Sequence, residues 1–430
     1  MIGSIGLLKT RRFLPLFVTQ FLGAFNDNLF KNAMIFFATY EIFNSVESET
    51  QFSAIAQGLF ILPFFLFSAL AGQLADSYDK ARIMRIVKMA EVLIMLVGAA
   101  GILISSLPLM LVALVGMGIH STFFGPIKYA IIPQHMAEDE VLGGTGLVEA
   151  GTYIAILCGT IAGGLISPTA AAVGVIMVAM IGWLSSRQIP AAPPSTKLKL
   201  DYNIFRASYR LIAATTHIRR VWLAIIAISV FWTIAAVLGV LFPPLVKNTF
   251  HAQKDVASIF LAIFSVGIAI GSVIINRLLK GEVSARYSMV SVLAMAVFVV
   301  EFYLAAEFWP VSDGPLLEIR EFLAMPAGWH LLFALAMIAI TGGMFVVPLY
   351  AFLTTTVDKS QTSRTVAANN IVNSGFMVAG SVGILGLTHV PGISVEHAIL
   401  VIVGLCLLSA ICARRLHKAE SDVHVPDMLP

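Results

Sequence analysis

The sequence predicts an all-α polytopic membrane protein with twelve transmembrane helices in two six-helix halves. Three observations carry this expectation. First, of 430 residues 58% are apolar and only 12% charged, with a mean hydropathy of +0.91; soluble chains carry about a quarter charged residues. Second, the apolar residues fall into runs near the ~20 residues a helix needs to cross a hydrocarbon core, without the period-2 alternation of a membrane barrel. Third, lysine and arginine gather on one side of those runs, as cytoplasmic loops require. Too few charges remain to cover soluble domains, which excludes a soluble enzyme and a nucleic-acid binder. A net charge of +3 draws in no polyanion.

Span 1, about 13–40, follows Lys9, Arg11 and Arg12. It is too long and too interrupted by polar residues for a cleaved signal peptide. Spans 2 to 6 follow at about 52–75, 83–105, 107–129, 143–166 and 168–187, closing a first half at 1–187. The connector, 188–219, opens with Pro190, Pro193 and Pro194, which cannot continue a helix. Beyond them Ile204, Phe205, Tyr209, Leu211 and Ile212 fall largely on one face, with Arg206 and Arg210 off it. That pattern predicts an amphipathic helix on the inner membrane surface, the alternative being a plain solvated linker. Spans 7 to 12, about 220–246, 256–279, 286–308, 329–353, 365–388 and 395–414, form a second half at 220–416, with a tail at 417–430.

Twelve spans put both termini on one side. Of the 27 lysines and arginines, only Lys247, Lys254 and Arg320 fall on the other side, and Lys31 lies within span 1. Both termini are therefore expected in the cytoplasm. The outer loops are expected to be acidic, with Glu41, Glu47, Glu49, Glu301, Glu307, Asp313, Glu318 and Glu321. Cys158, Cys406 and Cys412 sit in apolar runs with no CxxC, so they read as small apolar fillers, and no metal or cofactor is expected. No GxxxxGK[ST] or GxSxG string occurs.

A weak repeat relates the halves. After span 2 the chain reads "GQLADSYDKARIMR", and after span 8 "GSVIINRLLKGEVSAR". Gly72 and Asp76 lie one turn apart, followed by Lys80 and Arg82. A glycine admits a close helix, and the carboxylate can cap a neighbouring helix or pair with a basic residue. These four residues are a candidate conformational latch; a purely topological role for the basic residues is the alternative. The second copy keeps Gly271, Arg277 and Lys280 but has Ile275 at the acidic position.

This turn and its degenerate copy resemble the major facilitator superfamily. Further segments resemble one branch of it, the bacterial lysophospholipid transporters: "QFLGAFNDNLFKNA" in span 1, "GPIKYAI" ending span 4, "GLVEAGTYIAILCGTIAGG" in span 5, "SVFW" in span 7 and "GGMFVVPL" in span 10. The resemblance covers almost the whole chain. It extends to the transporter half of proteins that fuse such a unit to an acyltransferase. It implies the major facilitator fold and a monomer in the bacterial inner membrane, among membrane lipids. The implied function is carrying lysophosphatidylethanolamine-type lysophospholipid from the outer to the inner leaflet by alternating access. A separate acyltransferase would then re-acylate it. Composition and spacing alone reach only a transporter-like polytopic protein. Two other functions fit that coarser reading: a proton-coupled exporter of amphipathic compounds with Asp27 or Glu149 titrating, and a non-transporting scaffold for a lipid acyltransferase.

Charges inside the membrane are costly and mark pathways. Span 1 holds Asn26, Asp27, Asn28, Lys31 and Asn32, with Gln20, Asp27 and Lys31 on one face. Asp27 and Lys31 are either a structural ion pair or a headgroup site in which Asp27 takes an ammonium and a cation takes phosphate; the resemblance assigns Asp27 and Asn28 to substrate. Lys128 follows Pro126 at the end of span 4, where it contacts substrate or snorkels to lipid. His120, eight residues earlier, reads as a hydrogen-bonded helix residue, and Lys88 with Glu91 as a local pair. Glu149 opens span 5 as a candidate cation or proton site, or a plain helix-start acid. Beyond it Gly151, Ala155, Gly159 and Gly163 form a small-residue stripe, expected to be a sliding interface between halves. In span 7, Phe231 and Trp232 are followed by no basic residue until Lys247, whereas better-known members of the branch carry an arginine there. Lys31 or Lys128 is left as the phosphate partner. Trp232 is a candidate for acyl-chain or headgroup contact, or a core aromatic. Asn370 and Asn373 in span 11, beside Asn369, are candidates for glycerol hydroxyls or for helix bridging.

Overall fold

The structure, a computed structural model, describes residues 6–194, 200–280, 283–310, 314–356, 362–387, 389–390, 392 and 394–421. The side chains of some helical residues, Glu149 among them, lie outside that description. The spans are Leu14–Phe37, Val46–Ser77, Lys80–Leu103, Leu107–Ala130, Glu138–Leu165 and Pro168–Ser186, then Arg219–Pro244, Lys254–Leu278, Ser288–Glu307, Pro326–Thr355, Thr362–Leu387 and Val395–Ser421. A connector helix, Ile204–Thr216, lies between the two sets. Among the described residues ten helices are long and apolar enough to cross a membrane. The other two long helices are span 1, with its polar run, and span 5, whose apolar part is Ala150–Leu165.

Local chemistry sets the helix starts. Spans 1, 4, 6 and 10 carry proline at the first or second helical position, where its missing N–H costs nothing. Asp79 caps span 3 by accepting the Arg82 N–H at 2.7 Å. Spans 1 and 7 each run on into one π turn, Ala38–Ile42 and Leu245–Thr249. The first helix of each set thus ends alike, which the weak sequence repeat did not record.

The chain forms two compact units. The first comprises Met1–Ile42 and Leu59–Ala207, the second Phe43–Gly58 and Ser208–Pro430. These boundaries differ from the expected halves: the opening turns of span 2 belong with the second unit, and the connector helix divides after Ala207. Glu49, in those opening turns of span 2, bonds to residues just after span 7 in the same unit. Expected in an outer loop, it is a fully buried helical residue that accepts from Lys247 Nζ at 2.6 Å and from Asn248 Nδ2. Glu301 is likewise inside span 9 rather than in a loop, 2.9 Å from His330 Nε2.

In the first unit, span 1 packs on spans 5 and 6, and span 3 on spans 4 and 6. In the second, span 7 packs on spans 10, 11 and 12, and span 10 also on spans 8 and 9. Phe242, Phe250, Phe260, Phe302 and Trp309 form an edge-to-face aromatic cluster there. The stripe of span 5 corrects its expectation. Gly159 lies against the Phe25 carbonyl and Gly163 against the Ala33 N–H, so the stripe seats span 5 on span 1 inside the first unit.

The turn after span 2 carries the candidate latch residues Gly72, Asp76, Lys80 and Arg82. A Cβ on Gly72 would meet open space, and Asp76 and Arg82 are exposed. The working carboxylate is Asp79, whose Oδ2 accepts the Ala192 N–H at 3.1 Å while the Lys80 N–H donates to the Ala192 carbonyl at 2.9 Å. Arg85 donates to the Ile189 carbonyl at 2.7 Å. The turn therefore clasps the start of the connector. In the second copy Gly271 does meet a helix, the backbone of span 10 at Ile340. On the connector helix Phe205 and Tyr209 are exposed, and Arg206 pairs with Asp201 at 2.6 Å.

Candidate substrate site

The polar run of span 1 is laid against spans 3 and 4. Asn26 is fully buried and donates to Glu91 Oε1 at 2.8 Å. Glu91 Oε2 is in ion-pair contact with Lys88, with both side chains shut off from solvent. His120 Nε2 stands 3.1 Å from the same Oε2. On the other edge of the ring, His120 Nδ1 lies 3.3 Å from Ser121 Oγ, which donates to Asp27 Oδ2. Polar contacts thus join Asn26, Glu91, His120, Ser121 and Asp27, with Lys88 beside Glu91, the His120–Glu91 contact being one of charge proximity and not a hydrogen bond. Close approach makes it possible: Lys88 Nζ passes where a Cβ on Gly23 or Gly182 would sit, 3.3 and 3.0 Å away.

Asp27 Oδ1 is buried and accepts no hydrogen bond. Asp27 and Lys31 do not form the ion pair that their spacing permits. Ser121 holds one carboxylate oxygen, and Lys31 Nζ instead stands 5.2 Å from the centre of the Phe60 ring. Asn28 turns its amide back on its own helix, donating to the Ala24 carbonyl at 2.9 Å. Asn32 bridges to Thr160 of span 5 at 3.2 Å.

Lys128 donates to Thr152 Oγ1 at 3.2 Å, and Thr152 donates to Gln20 Oε1 at 2.8 Å. The Gln20 amide nitrogen is buried without a partner. Lys128 lies seven residues beyond Ser121 on span 4, about 10 Å along the axis and on the same face. Glu149 lies in the helix of span 5, its side chain outside the described residues.

A second polar cluster belongs to the second unit. Trp232 Nε1 donates to Tyr350 Oη at 2.6 Å, Ser229 Oγ to Asn373 Oδ1 at 2.7 Å, and Asn373 Nδ2 stands 3.5 Å from Tyr350 Oη. Trp232 and Asn373 thus meet through a tyrosine. Asn370 is exposed, while Asn369 is fully buried with both amide atoms unpartnered.

The residues sequence reasoning missed are Ser121, Tyr350 and Ser229, and the joining of His120, Lys88 and Glu91 to Asp27. A signal existed: lysine and glutamate three apart inside an apolar run, with a histidine in the next, are costly unless they meet.

Membrane-length helices in two units, with a buried cluster of ionisable residues in the first and of neutral polar residues in the second, are the build of a multi-pass membrane transporter. A family model described as Major Facilitator Superfamily matches residues 16–308, and the chain belongs to that superfamily. Among curated relatives, the chain is 27% identical to "Lysophospholipid transporter LplT" of Cronobacter sakazakii over 374 residues, covering 85% of each chain. It is also 27% identical to the protein of that name in Escherichia coli over 389 residues, 88% of this chain and 89% of the other. Among solved structures it is similar in fold to a bacterial homolog of the human lysosomal transporter Spinster (TM-score 0.68, 13% identity, 95% and 98% coverage). It is similar in the same way to the POT family transporter PepTSo (TM-score 0.71, 10% identity, 95% and 98% coverage).

Proposed function

We propose that this chain is a secondary transporter of lysophospholipid, with lysophosphatidylethanolamine as its representative substrate. The observation that carries the reading is the state of span 1. Asp27 keeps one buried carboxylate oxygen without a partner, and Lys31, one turn on, makes no ion pair. An anion and a cation left uncommitted on one helix face suit a zwitterionic headgroup, since burying such a head without partners is the costly part of moving it. Asp27 takes the ammonium; Lys31 or Lys128 takes the phosphate, in place of the missing arginine of span 7. Asn28 flanks the carboxylate. The acyl chain stays against apolar helix faces or lipid. Trp232, Asn370 and Asn373 offer indole, amide and hydroxyl-binding groups in the second unit, and Glu149 a further acid.

The names of the relatives support the substrate class. Movement from outer to inner leaflet of the bacterial inner membrane, both termini in the cytoplasm, a monomer working by rocking of two halves, and hand-over to a separate acyltransferase complete the proposal. The test is reconstitution in proteoliposomes and following labelled lysophosphatidylethanolamine between leaflets, beside Asp27→Asn. Transport lost in the variant supports the reading. No movement with the wild-type protein overturns it, and unchanged transport in the variant removes Asp27 from the site. Co-purification with an acyltransferase and no transport would mean a scaffold.

A further inference from the structure

Glu301 and His330 put a polar pair on a face of the second unit that is otherwise apolar and open. Glu301 is the one acid of span 9 before its last residue, and span 10 carries no charged residue and no histidine other than His330. The two meet, His330 Nε2 standing 2.9 Å from Glu301 Oε1. The protein does not cover them: 57% of the His330 side chain and 32% of the Glu301 side chain remain exposed. Val292, Met295, Val299 and Phe302 are buried on the other face of span 9. On the open face Val297, Val300, Leu304 and Phe308, at steps of three and four, line a groove with Ala327 of span 10. Its volume is about 520 Å³, the size of a small-ligand site.

Depth makes this pair costly. Span 9 has 20 residues, about 30 Å, the thickness of a hydrocarbon core. Glu301 lies about 9 Å inward of its end, and His330 about 6 Å inward of the start of span 10. Exposed Phe308 and Trp329 sit at those two helix ends, the level at which aromatic side chains mark a membrane interface. Both ends lie on the side poor in lysine and arginine. Acids at such depth ordinarily face the interior of a bundle or a water-filled cavity. Glu301 faces outward, where the bilayer is the source of partners.

The remaining atoms of the pair define that partner. Glu301 Oε2 and His330 Nδ1 make no hydrogen bond among the described residues. With Nε2–H given to Glu301, a charged imidazole carries its second N–H on Nδ1. The pair then offers an anionic acceptor and a cationic donor side by side, with no net charge. A headgroup holding a primary ammonium and a phosphate satisfies both, and the complex stays neutral in an apolar setting. A quaternary ammonium has no N–H for Oε2, and a glycerol headgroup has no cation.

We propose that this groove binds one ethanolamine phospholipid of the surrounding bilayer, its ammonium on Glu301, its phosphate on His330 and an acyl chain along Val300 and Val297. The bilayer dips at the groove to bring the headgroup to that depth. The lipid is a resident of the membrane, distinct from the lysolipid assigned to Asp27, and the site stands on residues of the second unit alone.

The test is photolabelling of the full-length protein in detergent with a diacyl phosphatidylethanolamine that carries a diazirine in its acyl chain, followed by peptide mapping. Label is expected within residues 297–308. Unlabelled phosphatidylethanolamine is expected to displace it about 10-fold better than phosphatidylcholine or phosphatidylglycerol of the same chains, the worth of a hydrogen bond to a charged group. Glu301→Gln keeps the side-chain shape and is expected to erase that preference. Ala305→Trp leaves the pair in place but fills the groove, and is expected to lose the label. Equal displacement by the three headgroups, a preference untouched by Glu301→Gln, or no label within residues 297–308 would each overturn the proposal. Asp27→Asn is expected to keep the label; its loss there would make the bound lipid the transported one and overturn a resident site. A disulfide between two copies of Val297→Cys in place of labelling would put a second copy on the groove and overturn the lipid.

Discussion

Lys88 and Glu91 stand one turn apart on span 3 as an ion pair from which solvent is excluded on both sides. Asn26 and His120 occupy the remaining positions of the carboxylate, so the pair is the fixed centre of the first unit's polar chain. Its desolvation is offset only while both charges are present. Lys88→Met is therefore expected to cost about 3–5 kcal/mol by leaving Glu91 bare. Lys88→Met with Glu91→Gln, which keeps an acceptor for Asn26, is expected to recover most of it. Thermal unfolding of the purified variants measures the coupling. Single and double variants of equal stability would mean that the carboxylate is not confined.

Span 5 lies so close to span 1 that Gly159 faces the Phe25 carbonyl directly. Gly159→Ala is expected to force the helices apart, at about 1–3 kcal/mol for overpacking. Gly383→Ala, where a Cβ meets open space, is the control expected to leave the melting temperature in place. Equal melting of the two variants would refute the close approach.

Apolar runs were legible because hydropathy is local: ten described helices reach membrane length near where the runs lie. The partner of each helix was not legible. The stripe of span 5 announces a close neighbour without saying which, and it turned out to be span 1. The Asp27–Ser121 contact joins residues far apart in sequence, and nothing near either residue announces the other. Helical spacing did permit Asp27 to meet Lys31, but a serine on another span outcompeted the lysine. At the turn after span 2 the pattern was legible but its contacts were not. Its pattern drew attention to Asp76, while Asp79, in the ordinary position of a helix cap, makes the contacts.

Asp79 and Asp76 can be separated by substitution. Asp79→Ala removes the span 3 cap and the acceptor of the Ala192 N–H, and is expected to cost about 1 kcal/mol or somewhat more. Hydrogen exchange at Ala192 should speed up. Asp76→Asn, at an exposed site, is expected to change stability by less than about 0.5 kcal/mol. Faster exchange at Ala192 in Asp76→Asn alone would reverse the assignment.

Lys31 faces an aromatic ring rather than a carboxylate, so replacing it should cost binding more than folding. Lys31→Ala is expected to weaken lysophosphatidylethanolamine binding about 10- to 100-fold, the worth of a hydrogen bond to a charged group. Lys31→Arg should keep most of the affinity. If Lys31→Ala binds like the wild type and Lys128→Ala does not, the phosphate belongs to Lys128.

Glu140, in the first turn of the span 5 helix and outside its apolar, membrane-crossing part Ala150–Leu165, gives the fold a pH dependence of known sign. The Ala137 N–H and then the Arg12 guanidinium, 2.6 Å away, hold its carboxyl below the usual glutamate range. A group with a depressed folded value stabilises the native state fully above its unfolded value and loses that contribution as the pH falls through the folded one. The contact is partly exposed, so salt should weaken it. Glu140→Gln is thus expected to lower the melting temperature slightly at neutral pH and low salt. The gap to the wild type should close as the solution is made acid, because protonated Glu140 and glutamine offer Arg12 the same neutral partner. Melting curves across pH decide it, and a gap that widens in acid would show that the ion pair does not hold the start of span 5.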